Sequence, residues 1–127
     1  MPMTSNKNDF SILIIDDDEL ILDSLSELLG ANGYQINTAK GSAEIIAKIS
    51  NGIWPNIIIA DYRMRNKNGV EVVMCIRQLL GEEVPAIIFI DDTTDEARDV
   101  ARQNKCIVLR KPQETGELSN HIYEMTA

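Results

Sequence analysis

One histidine, one tryptophan and two cysteines stand among 127 residues, and aromatic side chains make up only 5% of them. With His121 alone, a histidine-built metal cluster is excluded. Cys75 and Cys106 are too few for a disulfide framework, which points to a reducing, cytoplasmic location. No apolar run approaches the roughly 18 residues of a membrane helix, so no membrane insertion by this chain is expected. The polar stretch 1–10 lacks the apolar core of a signal peptide and reads as a leader or extension ahead of a single domain at 11–127. Positive charge is scarce as well. Twelve Lys and Arg against 20 Asp and Glu leave a formal net charge of −8, which argues against direct nucleic-acid binding, where affinity rests on a basic face meeting phosphates. What remains is ordinary for a folded domain: 44% hydrophobic and 25% charged residues, with no repeat or low-complexity tract.

Short apolar runs alternate with helix-like stretches. The runs are Ser11–Ile15, Tyr34–Thr38, Ile57–Ala60, Ala86–Ile90 and Ile107–Leu109. Those that are almost wholly aliphatic suit central parallel strands buried on both faces, whereas the alternation of Tyr34, Ile36 and Thr38 with polar residues suits an edge strand. Between the runs, apolar residues recur at helical spacing: Ile21, Leu25, Leu28 and Leu29, closed by Gly30 or Gly33; Ile45, Ile46 and Ile49, opened by Ser42 as N-cap; Val70, Val73, Met74, Ile76 and Leu80, stopped by Gly81. Thr93 and Glu96 read as a capping box for a fourth helix to about Gln103, and Leu118, Ile122 and Met125 supply a fifth. Five β–α units joined by right-handed crossovers predict a doubly wound five-stranded parallel α/β sheet.

In such a sheet ligands bind beyond the carboxyl ends of the strands, where the strand order reverses. The first run ends in Asp16-Asp17-Asp18-Glu19 and the third in Asp61. With the order 2-1-3-4-5 these acids converge, and crowded carboxylates call for a hard divalent cation, Mg²⁺ first. Acids after a strand also favour the N-terminus of the next helix, which accounts for Asp18 and Glu19 but not for Asp61. The fifth run ends in Lys111-Pro112, a cation suited to a phosphoryl oxygen followed by a fixed turn. Cys75 and Cys106 read as packing thiols, Trp54 as a loop anchor, Met64 as loop packing, Met74 as core and His121 as an exposed residue.

The ordered set Ile-Leu-Ile-Ile-Asp16-Asp17-Asp18, Ile-Ile-Ile-Ala-Asp61-Tyr-Arg-Met, Gly69, Pro85 and Lys111-Pro112 resembles the response-regulator receiver domains of two-component signalling, with the flavodoxin-like (βα)5 fold. Asp61-Tyr62-Arg63-Met64 and Asp92-Thr93-Thr94 are especially similar to receivers at the C-terminal ends of hybrid sensor histidine kinases. The resemblance implies that Asp61 is the phosphoacceptor, taking its phosphoryl group from a histidine kinase or a histidine phosphotransfer protein. It implies that Asp17, Asp61 and the backbone carbonyl of Arg63 hold Mg²⁺ (or Mn²⁺), that Asp16 acts through water, and that Lys111 neutralises phosphoryl charge. Such a chain is a switch without metabolic turnover, either stand-alone or excised from a hybrid kinase. Its output surface, and a weak dimer, would use the fourth and fifth helices. Arg63 and Asp92 would pair across the mouth of the site.

Three positions depart from that pattern. Ile90 stands where the family has Thr or Ser, so one hydrogen bond to the phosphoryl group, typically about 1.5–3 kcal/mol, is missing. Val108 replaces the switch aromatic, and Arg65 replaces the Pro after Asp-x-x-Met. Two other readings stay open: a degenerate receiver acting as a phosphorylation-independent interaction module, and a haloacid-dehalogenase-like phosphatase, whose motif the Leu20 of this chain does not complete.

Overall fold

The computed structural model describes residues 9–90, 95–110 and 115–126. Along the chain run β1 (Ser11–Ile15), α1 (Glu19–Ala31), β2 (Gln35–Ala39), α2 (Ser42–Ser50), β3 (Ile57–Asp61), α3 (Gly69–Leu80), β4 (Ala86–Ile90), α4 (Asp95–Gln103), β5 (Ile107–Arg110) and α5 (Leu118–Thr126). The strands form one parallel sheet in the order β2-β1-β3-β4-β5, the doubly wound arrangement that the alternation of runs predicts.

Successive residues of a strand point to opposite faces of the sheet, so β1, β3 and β4, apolar throughout, feed two cores. Leu13, Ile15, Ile58, Ala60, Ile88 and Ile90 pack on one face against α2, α3 and α4. Ile12, Ile14, Ile57, Ile59, Ile87 and Phe89 pack on the other against α1 and α5. The edge strand β2 starts one residue later than the alternation suggests; Tyr34 precedes it and packs on Phe10 in a tilted pair, with ring centroids 5.8 Å apart.

Several helix faces differ from their sequence reading. In α1 the buried stripe is Leu22, Leu25 and Leu29, while Leu28 is exposed, because a stripe of i, i+3, i+7 spacing needs only one residue per turn against the sheet. Ser42 is the first residue of α2 and Gly41 occupies the N-cap; of the three isoleucines only Ile45 is fully buried, and Ile46 faces out. In α3 Val72 is buried and Met74 exposed. Cys75 is exposed, whereas Cys106 is buried just before β5. His121 is half-buried, and Thr93 lies outside the described residues.

Two devices at the ends of α3 fix the frame. Asn68 accepts from the Glu71 N–H at 2.9 Å while Glu71 accepts from the Asn68 N–H at 3.0 Å, a reciprocal cap. At the other end Arg77, buried, donates to the carbonyls of Val84 (2.9 Å), Asn104 (2.6 Å) and Lys105 (3.1 Å). Trp54 anchors the loop before β3 by donating from Nε1 to Glu82 at 3.0 Å.

Candidate functional site

β1 and β3 run in step, with Ile15 opposite Ala60, so the next residues, Asp16 and Asp61, leave neighbouring strands together at the carboxyl edge. Asp16 is 3% exposed. Its N–H donates to the Ala39 carbonyl at 3.2 Å, continuing the β1–β2 pairing, and its Oδ1 accepts from the Asp18 N–H at 2.9 Å. Asp18 in turn accepts from the Leu20 N–H at 2.9 Å and caps α1. The chain after β1 is thus bent by two consecutive side chain–backbone turns. Asp17, between them, is exposed.

Asp61 is the last residue of β3 and half-buried; its Oδ1 accepts from the Arg63 N–H at 3.2 Å. The loop beyond is pinned at both ends. Tyr62 N–H donates to the Phe89 carbonyl at 2.8 Å, Gly69 N–H donates to the Tyr62 carbonyl at 2.8 Å, and Arg63 bridges Asn68. Gly69 is the close-approach residue: a Cβ there would overlap the Asp61 carbonyl.

The expected site residues therefore divide. Asp16, Asp17, Asp61 and Arg63 gather at the ends of β1 and β3, while Lys111, Pro112 and Asp92, with the Arg63–Asp92 pair, lie outside the described residues. Ile90 is buried in the core beside α3 and α4, opposite Arg110 in the ladder, and Val108 packs partly buried against the same core. Ile90 and Val108 are thus both held in aliphatic packing.

Among the described residues no three Asp, Glu, His or Cys side chains form a metal cage. The donors at hand are the Asp16, Asp17 and Asp61 carboxylates and the Arg63 carbonyl, all hard oxygens. They fit an ion such as Mg²⁺, which keeps several waters and takes one or two carboxylates plus phosphate oxygens. Beside Asp17 opens a cavity of about 370 Å³, lined by Ile15, Lys40, Gly41, Ser42, Met64, Arg65, Asn66, Lys67 and Val72. It lies next to the acids but does not include Asp61 or Asp16.

Sequence reasoning missed the reciprocal cap, although Asn68-x-x-Glu71 was a visible signal for it. It also missed Arg77, which carries no signal because a lone Arg on a helix reads as solvated. Among the described residues no helix is long and apolar enough to cross a membrane.

Known proteins agree with this architecture. Response regulator MprA of Mycobacterium sp. (strain KMS) is 31% identical over 77 residues, covering 61% of this chain and 33% of that protein. The transcriptional regulatory protein CpxR homolog of Haemophilus influenzae is 23% identical over 126 residues, covering 86% and 55%. The chain thus spans between a third and about half of the length of these relatives. A receiver domain protein from Methanospirillum hungatei JF-1 superposes with a TM-score of 0.78 at 26% identity over 92% of this chain and 93% of its own. One from Clostridium thermocellum gives 0.80 at 25%, over 92% and 94%. The response regulator receiver domain model matches residues 12–123, and with the 2-1-3-4-5 sheet and the acids at the ends of β1 and β3 it establishes that this chain belongs to the response regulator receiver domain family.

Proposed function

We propose that this receiver is a phosphoacceptor: an Asp61 carboxylate oxygen attacks the phosphorus of a phosphohistidine, the P–N bond breaks, and an aspartyl phosphate forms. The observation that carries this reading is the register of β1 and β3, which sets Asp61 beside the buried Asp16 at the ends of adjacent strands. Asp17, Asp61 and the Arg63 carbonyl would hold Mg²⁺ or Mn²⁺, with Asp16 acting through water. The ion supplies positive charge against the transferring oxygens. Lys111 adds a second cation for the phosphoryl group. The pinned Tyr62–Gly69 loop keeps the acceptor in place, so positioning supplies much of the acceleration.

The donor in this reading is a histidine kinase or a histidine phosphotransfer protein in a cytoplasmic phosphorelay. The similarity of Asp61-Tyr62-Arg63-Met64 to the receivers of hybrid kinases supports a place at the C-terminal end of such a kinase. Output, with any weak dimer, uses α4, β5 and α5.

The second reading, a receiver that keeps the fold but signals without phosphorylation, is favoured by one observation: Ile90 and Val108 are packed as aliphatic core rather than as a switch pair. Intact mass after incubation with a small phosphodonor and Mg²⁺ decides between them. A metal-dependent gain of one phosphoryl group, absent in Asp61→Asn, is expected. No gain with either a small donor or a phosphohistidine donor selects the interaction module.

A further inference from the structure

On a chain with a net charge of −8, bases are concentrated in one loop: Arg63, Arg65 and Lys67 stand within five residues between β3 and α3. Arg65 and Lys67 line the 370 Å³ cavity beside Asp17, and Lys40 lines it from the β2–α2 side. The local charge balance is explicit. Lys40 pairs with Glu19 at 3.2 Å, and its N–H donates to Glu44 at 2.9 Å. Lys67 donates only to the Cys75 sulfur, at 3.6 Å, and neither Arg65 nor Lys67 has a carboxylate partner among the described residues. Among the described residues, Asp17 is the one acid in the lining.

The lining also offers neutral donors. Ser42 opens α2, and Gly41 in the N-cap contributes no side chain, so the first turn of the helix carries no side-chain cap. Ile15, Met64 and Val72 add apolar wall. The volume falls within the range of small-molecule sites. Two cations without carboxylate partners among the described residues, a hydroxyl, an uncapped helix start and an apolar wall in one cavity match a group with several anionic oxygens attached to a compact body.

We propose that this cavity binds a diphosphate group, free or carried by a nucleotide, at a site beside the acceptor and separate from it. Arg65 and Lys67 grip the terminal oxygens, and Ser42 with the first amides of α2 takes the others. Because the protein itself supplies the charge, binding needs no metal ion. This site stands whether or not Asp61 accepts a phosphoryl group.

The test is an amide NMR titration of the whole chain in EDTA, with inorganic pyrophosphate and with a nucleoside diphosphate as separate arms. Saturable shifts at Ser42, Ala43, Asn66 and Lys67 are expected, retained in Asp61→Asn. Binding should be about tenfold weaker in Arg65→Ala/Lys67→Ala, as two charge-assisted donors are lost. Both side chains are exposed, so the spectrum away from the cavity should superpose on that of the parent. Tighter binding of the nucleotide would show that the apolar wall is used, and equal binding that the diphosphate alone is read; either supports the site. Shifts lost in Asp61→Asn would place the anion at the acceptor instead and overturn the proposal. So would equal affinity for sulfate, undiminished binding by the double variant, or no saturable shift.

Discussion

Gly69 shows how one residue sets Asp61, the proposed acceptor. Its position directly against the Asp61 carbonyl leaves no room for a Cβ, so Gly69→Ala forces either the start of α3 or the end of β3 to move. Overpacking of that kind costs about 1–3 kcal/mol. Chemical denaturation should register it as a lowered midpoint, and phosphoryl uptake should fall further than stability alone accounts for, since Asp61 itself is displaced. An unchanged rate of uptake would show that the loop absorbs the shift without moving the acceptor. Ile90 is the contrasting case. Its departure from Thr or Ser was visible in the sequence, but only the packing against α3 and α4 shows that the apolar side chain has been drawn into the core.

Among the elements, α3 carries the most of what the sequence did not disclose. Periodicity located the helix and Gly81 marked its end, with φ of 66°, because backbone conformation and hydrophobic spacing are local properties. The face it buries is a tertiary property: Val72 turns inward and Met74 outward according to where β3 and β4 lie, not according to hydrophobicity. Arg77 is the clearest example. Its guanidinium joins α3 to the segment before β4 and to the turn between α4 and β5 through three backbone carbonyls, contacts made across 7, 27 and 28 residues of chain. Arg77→Met keeps the apolar stem and removes the guanidinium from all three carbonyls, leaving Asn104 only its weak contact from the Cys106 thiol at 3.6 Å, so a loss of about 2–4 kcal/mol is expected from denaturant unfolding. A loss below 0.5 kcal/mol would mean that water replaces the guanidinium at little cost.

For the whole molecule, strand order and the meeting of acids at one sheet edge were legible because parallel β–α units admit few topologies. Asp16 and Asp61 sit where that rule puts them. The cavity between the β2–α2 and β3–α3 loops was not legible, since it depends on how two loops stand relative to each other. Global stability carries a further signature of the same packing. Cys106 lies in the core on the α2–α3–α4 face, and its burial raises the thiol pKa above the ordinary 9.0, opposed more weakly by the nearby Arg77 charge and hydrogen bond. A thiol that ionises later in the folded chain than in the unfolded one contributes its full stability below the unfolded value. That contribution is lost as pH rises from there through the folded pKa. Unfolding free energy should therefore fall between pH 9 and the folded pKa more steeply in the parent than in Cys106→Ala, whatever the variant loses uniformly by leaving a small void. Parallel pH curves would show that the folded thiol titrates as freely as the unfolded one, and that water reaches the base of β5.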